Sequence, residues 1–127
     1  MIDVLLVDDH PLMRRFLREM LETYADLIII GEAETGEEAI MQAARLKPSV
    51  VIMDVHLPTL NGIQTTKLIK AQSPSTAVIG LTAGEPHPAE KELIFAAGAA
   101  ALINKEEALI SLHRSIHEAV SRQKKLV

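Results

Sequence analysis

The chain has 127 residues, 48% of them apolar, with a formal net charge of −4; that length suits one hydrophobic core, commonest at about 100–150 residues, and leaves no room for a second domain. The acidic balance excludes a broad electrostatic footprint for nucleic acid, which needs clustered Lys and Arg, and the absence of Cys excludes both a disulfide framework and a thiolate metal site. Met1 to Asp9 has no basic leader and no apolar run approaches the roughly 18 residues of a membrane span, so the expectation is a soluble cytoplasmic protein without membrane contact.

Ile2 to Val7 opens the chain as a short apolar, β-branched run, the pattern of a buried strand. Met13, Phe16, Leu17, Met20 and Leu21 then recur at helical spacing and predict the inward face of a first helix. A second strand is expected over Leu27 to Ala33. Thr35 with Glu38 three residues on has the form of a capping box and predicts a helix running to about Arg45. Val50 to Met53 reads as a third strand, and Asn61 opens a helix ending near Gln72-Ser73-Pro74. Ala77 to Leu81 reads as a fourth strand. Gly98 sits where a helix C-terminus needs a residue tolerant of positive φ. Ala100 to Ile103 is the fifth strand, and Leu109, Leu112, Ile116 and Val120 mark the inward face of a last helix. Strands alternating with helices, without linker or repeat, specify an α/β fold whose parallel sheet is covered on both faces. In such open sheets chemistry gathers outside the carboxyl ends of the strands.

At those ends stand Asp8-Asp9 after strand one, Asp54 after strand three, Thr82 after strand four and Lys105 after strand five. Three carboxylates on one rim repel one another unless a cation intervenes, and hard oxygen ligands without Cys suit Mg²⁺. Such an ion also screens a carboxylate nucleophile from the charge of an incoming phosphodonor. A lysine ammonium and a threonine hydroxyl on the same rim supply a charge and a donor for the remaining phosphoryl oxygens. Alone, each acid reads as a turn or cap residue, Lys105 as a solvated loop lysine and Thr82 as a strand-end hydroxyl; their joint placement at strand ends overrides those readings.

Val7-Asp8-Asp9-His10-Pro11, Met53-Asp54-Val55-His56-Leu57-Pro58 with Asn61-Gly62, Leu81-Thr82-Ala83, and Gly98 through Lys105 stand in an order and spacing that resemble the response-regulator receivers of two-component signalling, over essentially the whole chain. The Asp-Asp-His-Pro run and Gly31-Glu32-Ala33 are most similar to the NarL/FixJ (LuxR-type) branch. The resemblance implies a flavodoxin-like (CheY-like) doubly wound sheet of five parallel strands, in the order 2-1-3-4-5, with five helices. By position it implies Asp54 as phosphoacceptor, Asp9 as a direct Mg²⁺ ligand, Asp8 acting through metal-bound water, and the backbone carbonyl of His56 completing the set with Asp54. Thr82 and Lys105 would each hold a phosphoryl oxygen, and Pro58 and Gly62 would shape the loop beside the acceptor. The donor would be a phosphohistidine on a sensor histidine kinase or phosphotransfer protein. A second copy of the phosphorylated chain is a further partner the resemblance allows. The output would be transcription, through a DNA-binding domain that residues 1–127, read as the receiver domain alone, do not include.

Leu102 departs from the pattern: the family commonly places Tyr or Phe three residues before the lysine, as a switch residue moving with Thr82. An aliphatic side chain offers no phenolic hydroxyl or flat ring to a partner. Pro86 and Pro88 restrict the approach to the fourth helix. His10, before Pro11, reads as a helix-start or solvent-facing residue. His113 and His117 share a helix face at i and i+4, yet no Glu or Cys nearby completes a zinc motif, so they read as a surface or partner-facing pair. Arg122, Lys124 and Lys125 suit the negative end of a helix dipole. A metal-dependent phosphohydrolase of haloacid-dehalogenase type would want Asp where His56 stands, and a flavin module would want a Ser/Thr/Gly-rich loop where Asp8-Asp9-His10-Pro11 stands. A pseudo-receiver serving only as a binding surface would usually have lost the acceptor, acid pair or lysine. All are present.

Overall fold

Short apolar runs between amphipathic ones become strands and helices in the expected alternation in the computed structural model, which describes residues 1–126. The order is β1 (Ile2–Val7), α1 (Pro11–Leu21), β2 (Leu27–Ala33), α2 (Gly36–Leu46), β3 (Val50–Asp54), α3 (Gly62–Gln72), β4 (Ala77–Thr82), α4 (Pro88–Ala96), β5 (Ala101–Asn104) and α5 (Ala108–Leu126). The strands form one parallel sheet in the order β2-β1-β3-β4-β5. Its central strands read as continuous apolar runs because helices cover both faces, and every residue of β3 and β4 is buried. Alternate side chains feed opposite cores. Val4, Leu6, Ile52, Ile79 and Leu81 pack with Leu17 and Leu21 of α1 and Leu112 and Ile116 of α5, whereas Leu5, Val7, Val51, Met53 and Val78 pack with Ala39 and Ala43 of α2 and Ile69 of α3. Each such large side chain contributes about 1.5–3 kcal/mol by leaving water.

Local signals mostly act as expected. The Thr35 hydroxyl accepts the Glu38 N–H at 3.1 Å, but the Glu38 carboxylate accepts the N–H of Glu34 at 3.2 Å instead of closing the box on Thr35. Asn61 caps α3 by accepting the N–H of Gln64. Gly98 follows α4 at φ 113°, and a Cβ there would lie 2.9 Å from Lys70 Cγ, so the left-handed turn and the close lysine both require glycine.

Two core assignments need correction: Phe16 is 44% and Leu109 61% exposed. Successive helical residues are about 100° apart, and burial of Leu17 and Ala108 turns Phe16 and Leu109 toward the edge of each buried stripe. The β3 and β4 ladders extend one residue further than expected, taking in Asp54 and Thr82, while β5 is displaced by one residue to Ala101–Asn104. At the basic end of α5, Arg122 donates to the Ala100 carbonyl at 3.4 Å, while the Lys125 side chain lies outside the described residues. No helix among the described residues is long and apolar enough to cross a membrane.

Candidate functional site

The register of β1, β3 and β4 brings their carboxyl ends level, and β5 closes the row with Asn104 opposite Thr82. Asp8 and Asp54, 1% and 3% exposed, therefore stand side by side in a buried rim. Each carboxylate folds back on its own loop: Asp8 Oδ1 accepts the His10 N–H at 2.9 Å, and Asp54 Oδ1 accepts the His56 N–H at 2.8 Å. These turns hold the side chains at the strand ends instead of letting them reach into solvent.

Lys105 follows directly after β5, its N–H bonded to the Thr82 carbonyl at 2.7 Å. Its Nζ lies 3.2 Å from Asp54 Oδ2 and 3.3 Å from Asp8 Oδ2. Burial alone would depress the lysine, but the charges of Asp54 and then Asp8 outweigh it and hold its pKa above the ordinary value. The ion pair is nevertheless incomplete. Asp8 Oδ2, despite the nearby ammonium, and Asp9 Oδ1 are buried without an aligned hydrogen-bond donor. Two orphaned carboxylate oxygens beside a third acid suit a hard divalent cation, and Asp8, Asp9, His10 and Asp54 offer donor atoms all within 4.8 Å of one another. The residues present thus fit Mg²⁺.

Thr82 is 1% exposed at the end of β4. Together with Leu102, Pro86, Pro88 and Glu107 it lines a cleft of about 480 Å³ between α4 and β5. Leu102 is half-buried beside Val55, Ile94 and Ala99, with its Cδ1 over Gly80, where a Cβ would come within 3.1 Å. Gly62 is required by its closeness to the end of β3: a Cβ there would lie 2.6 Å from Val55 Cα and 2.8 Å from the Asp54 carbonyl. The loop also holds Thr59 at φ 60°, with its hydroxyl 3.2 Å from the Glu37 carboxylate.

Other contributors were not singled out from the sequence. The His10 ring, given no role, has Nδ1 3.1 Å from Asp8 Oδ1 and 3.2 Å from Asp9 Oδ1. Arg14 donates to the Asp8 carbonyl at 2.6 Å and pairs with Glu32, which also binds Arg18 at 2.7 Å. Partial burial raises the Glu32 pKa, but Arg18 and Arg14 outweigh it and leave the carboxyl below its ordinary value. Arg14 and Arg18 at i and i+4 were a legible stripe; their acceptor on β2 was not. His56 reaches Glu90 of α4 at 3.4 Å, joining the loop after Asp54 to that helix. His113 and His117 do not face outward freely: both turn toward Asp26, far away in sequence.

Residues 4–117 match the response regulator receiver domain family. The response regulator GacA of Pseudomonas protegens is 36% identical over 124 residues, 98% of this chain and 58% of GacA, so the chain spans little more than half of that relative. The response regulator domain of Thermotoga maritima CheB superposes with a TM-score of 0.88 at 32% identity, covering 94% of this chain and 96% of that one. A LuxR-family two-component response regulator from Aurantimonas sp. SI85-9A1 superposes with a TM-score of 0.89 at 27% identity, covering 94% and 85%.

Proposed function

The chain belongs to the response-regulator receiver family of two-component signalling, and from that premise we propose that it accepts a phosphoryl group on Asp54 and switches conformation in response. The observation that carries this reading is the shared environment of Asp8, Asp9, Asp54 and Lys105, with two buried carboxylate oxygens that no aligned hydrogen bond satisfies. Asp8, Asp9, Asp54 and the His56 carbonyl would hold Mg²⁺, which supplies charge neutralisation and a Lewis acid for the phosphoryl oxygens. An Asp54 carboxylate oxygen bonds to phosphorus as the donor's phosphorus–nitrogen bond breaks, and the donor imidazole leaves with the electron pair. The donor is a phosphohistidine on a histidine kinase or phosphotransfer protein. Lys105, already beside Asp54, pairs its ammonium with a phosphoryl oxygen, and the Thr82 hydroxyl donates to another.

Phosphorylation replaces the single negative charge of the Asp54 carboxylate with a phosphoryl group carrying roughly 1.5–2 negative charges. Movement of Thr82 toward them enlarges the room available to Leu102, which shares its cleft. Only Ile94 of α4 is buried, so this helix is the element most readily repositioned. Inactive and active arrangements separated by a few kcal/mol suffice for such a population shift. Similarity to the LuxR-family structure supports transcriptional control through a DNA-binding domain as the output.

The test is intact-mass measurement after incubation with acetyl phosphate, with and without Mg²⁺. One metal-dependent phosphoryl adduct is expected. A folded protein that gains none would favour a receiver used only as a binding surface.

A further inference from the structure

Away from the acid rim, α5 and the connection between α1 and β2 gather three side chains that nothing in the phosphorylation chemistry uses. His113 and His117, one turn apart on α5, both direct Nε2 toward Asp26. His113 Nε2 lies 3.1 Å from each Asp26 oxygen, and His117 Nε2 is within hydrogen-bond distance of Oδ2. The cluster is held from outside. The His113 ring stacks on Tyr24 at a centroid distance of 3.9 Å and 6° between planes, and the Asp26 carbonyl accepts the Ile2 N–H at 2.8 Å. The two imidazoles meet edge to face at 4.8 Å, which lets both nitrogens converge without ring overlap.

We propose that Asp26, His113 and His117 form a binding site for a borderline divalent transition-metal ion, with Zn²⁺ as the representative. Two imidazole nitrogens and one carboxylate select such ions over Mg²⁺ and Ca²⁺, which prefer all-oxygen surroundings. Ligands about 2.0–2.1 Å from a tetrahedral ion lie roughly 3.3 Å from one another. The 3.1 Å spacing between His113 and Asp26 is already close to that edge, while His117 Nε2 sits nearer to Oδ2 and must draw back to admit the ion. Side-chain exposures of 43%, 30% and 47% leave an entry path and a water-facing fourth position. The missing third ligand of the helical His pair is thus supplied by the fold, 87 residues before His113. A bound ion would tie the α1–β2 connection to α5 and stabilise the native state by mass action.

Neutral imidazoles donating to one carboxylate would give similar spacings without a metal, and the experiment separates the two. Chelator-stripped protein is titrated with Zn²⁺ against a chromophoric competitor, together with His117→Gln, Asp26→Asn and Asp9→Asn, whose folding is checked by circular dichroism. One tight equivalent is expected for the wild type and for Asp9→Asn, with affinity falling about tenfold or more in each of the other two. Zinc should also perturb the ring resonances of His113 and His117. Equal affinity in the wild type and His117→Gln, loss confined to Asp9→Asn, or no zinc uptake at all would overturn the proposal. The acceptor chemistry at Asp54 would be untouched by that failure.

Discussion

Lys105 Nζ stands 3.2 Å from Asp54 Oδ2, so the side chain proposed to bind the phosphoryl group already pairs with the carboxylate proposed to accept it. On that proposal the lysine and a divalent ion compete for the same negative rim.

Lys105→Met should raise Mg²⁺ affinity several-fold, because a positive charge beside the carboxylates is removed. Without Mg²⁺ the variant should lose about 1–2 kcal/mol of stability, less than the roughly 3–5 kcal/mol of a fully buried broken pair, since water still reaches the lysine. Metal titration followed by fluorescence of a competing indicator, and denaturant unfolding with and without Mg²⁺, measure both effects. Unchanged Mg²⁺ affinity would argue against the shared rim.

Gly62→Ala should destabilise the fold by about 1–3 kcal/mol and slow phosphorylation, because the added methyl meets the backbone of the acceptor loop, not a side chain that can turn away. Urea unfolding gives the first effect and the rate of adduct formation the second.

Leu102→Ala should cost about 1–2 kcal/mol, less than the roughly 2–5 kcal/mol of a fully buried leucine because the side chain is only half-buried. Its rate of adduct formation should match the wild type, whereas the change in hydrogen exchange across α4 on phosphorylation should shrink. An undiminished exchange response would remove Leu102 from the switch. Exchange in α4 that does not change on phosphorylation of the wild type would remove α4 itself.

Glu32 provides the pH dependence. Its folded pKa is lowered, so it contributes stability above its unfolded value and loses that contribution as pH falls through the lowered folded value. Wild type and Glu32→Gln should therefore differ in thermal stability at neutral pH and converge in acid. A constant difference across that range would assign the effect to packing.

The strand ends were legible because β-branched apolar runs stop abruptly at Asp8, Asp54 and Thr82, and period-two burial then fixes which side chains face which core. Helix-face assignment was weaker at Phe16 and Leu109: a stripe of apolar residues shows the inward direction but not its edge, which is set by how far the sheet reaches. What local spacing could not supply were contacts between distant segments. Arg14 with Glu32, His56 with Glu90, and Asp26 with His113 each join different elements of the fold. The His10 ring was obscured for another reason: its backbone opens a helix, while its side chain turns back on Asp8 and Asp9.

The proposal that Asp54 carries the phosphoryl group is tested by trapping the modified residue. Reducing the phosphorylated protein with borohydride converts an aspartyl phosphate to homoserine, and peptide mass mapping then locates it. Homoserine is expected at position 54 alone, dependent on Mg²⁺ and absent from Asp54→Asn. Conversion at another carboxylate, or an adduct that survives in Asp54→Asn, would contradict that proposal.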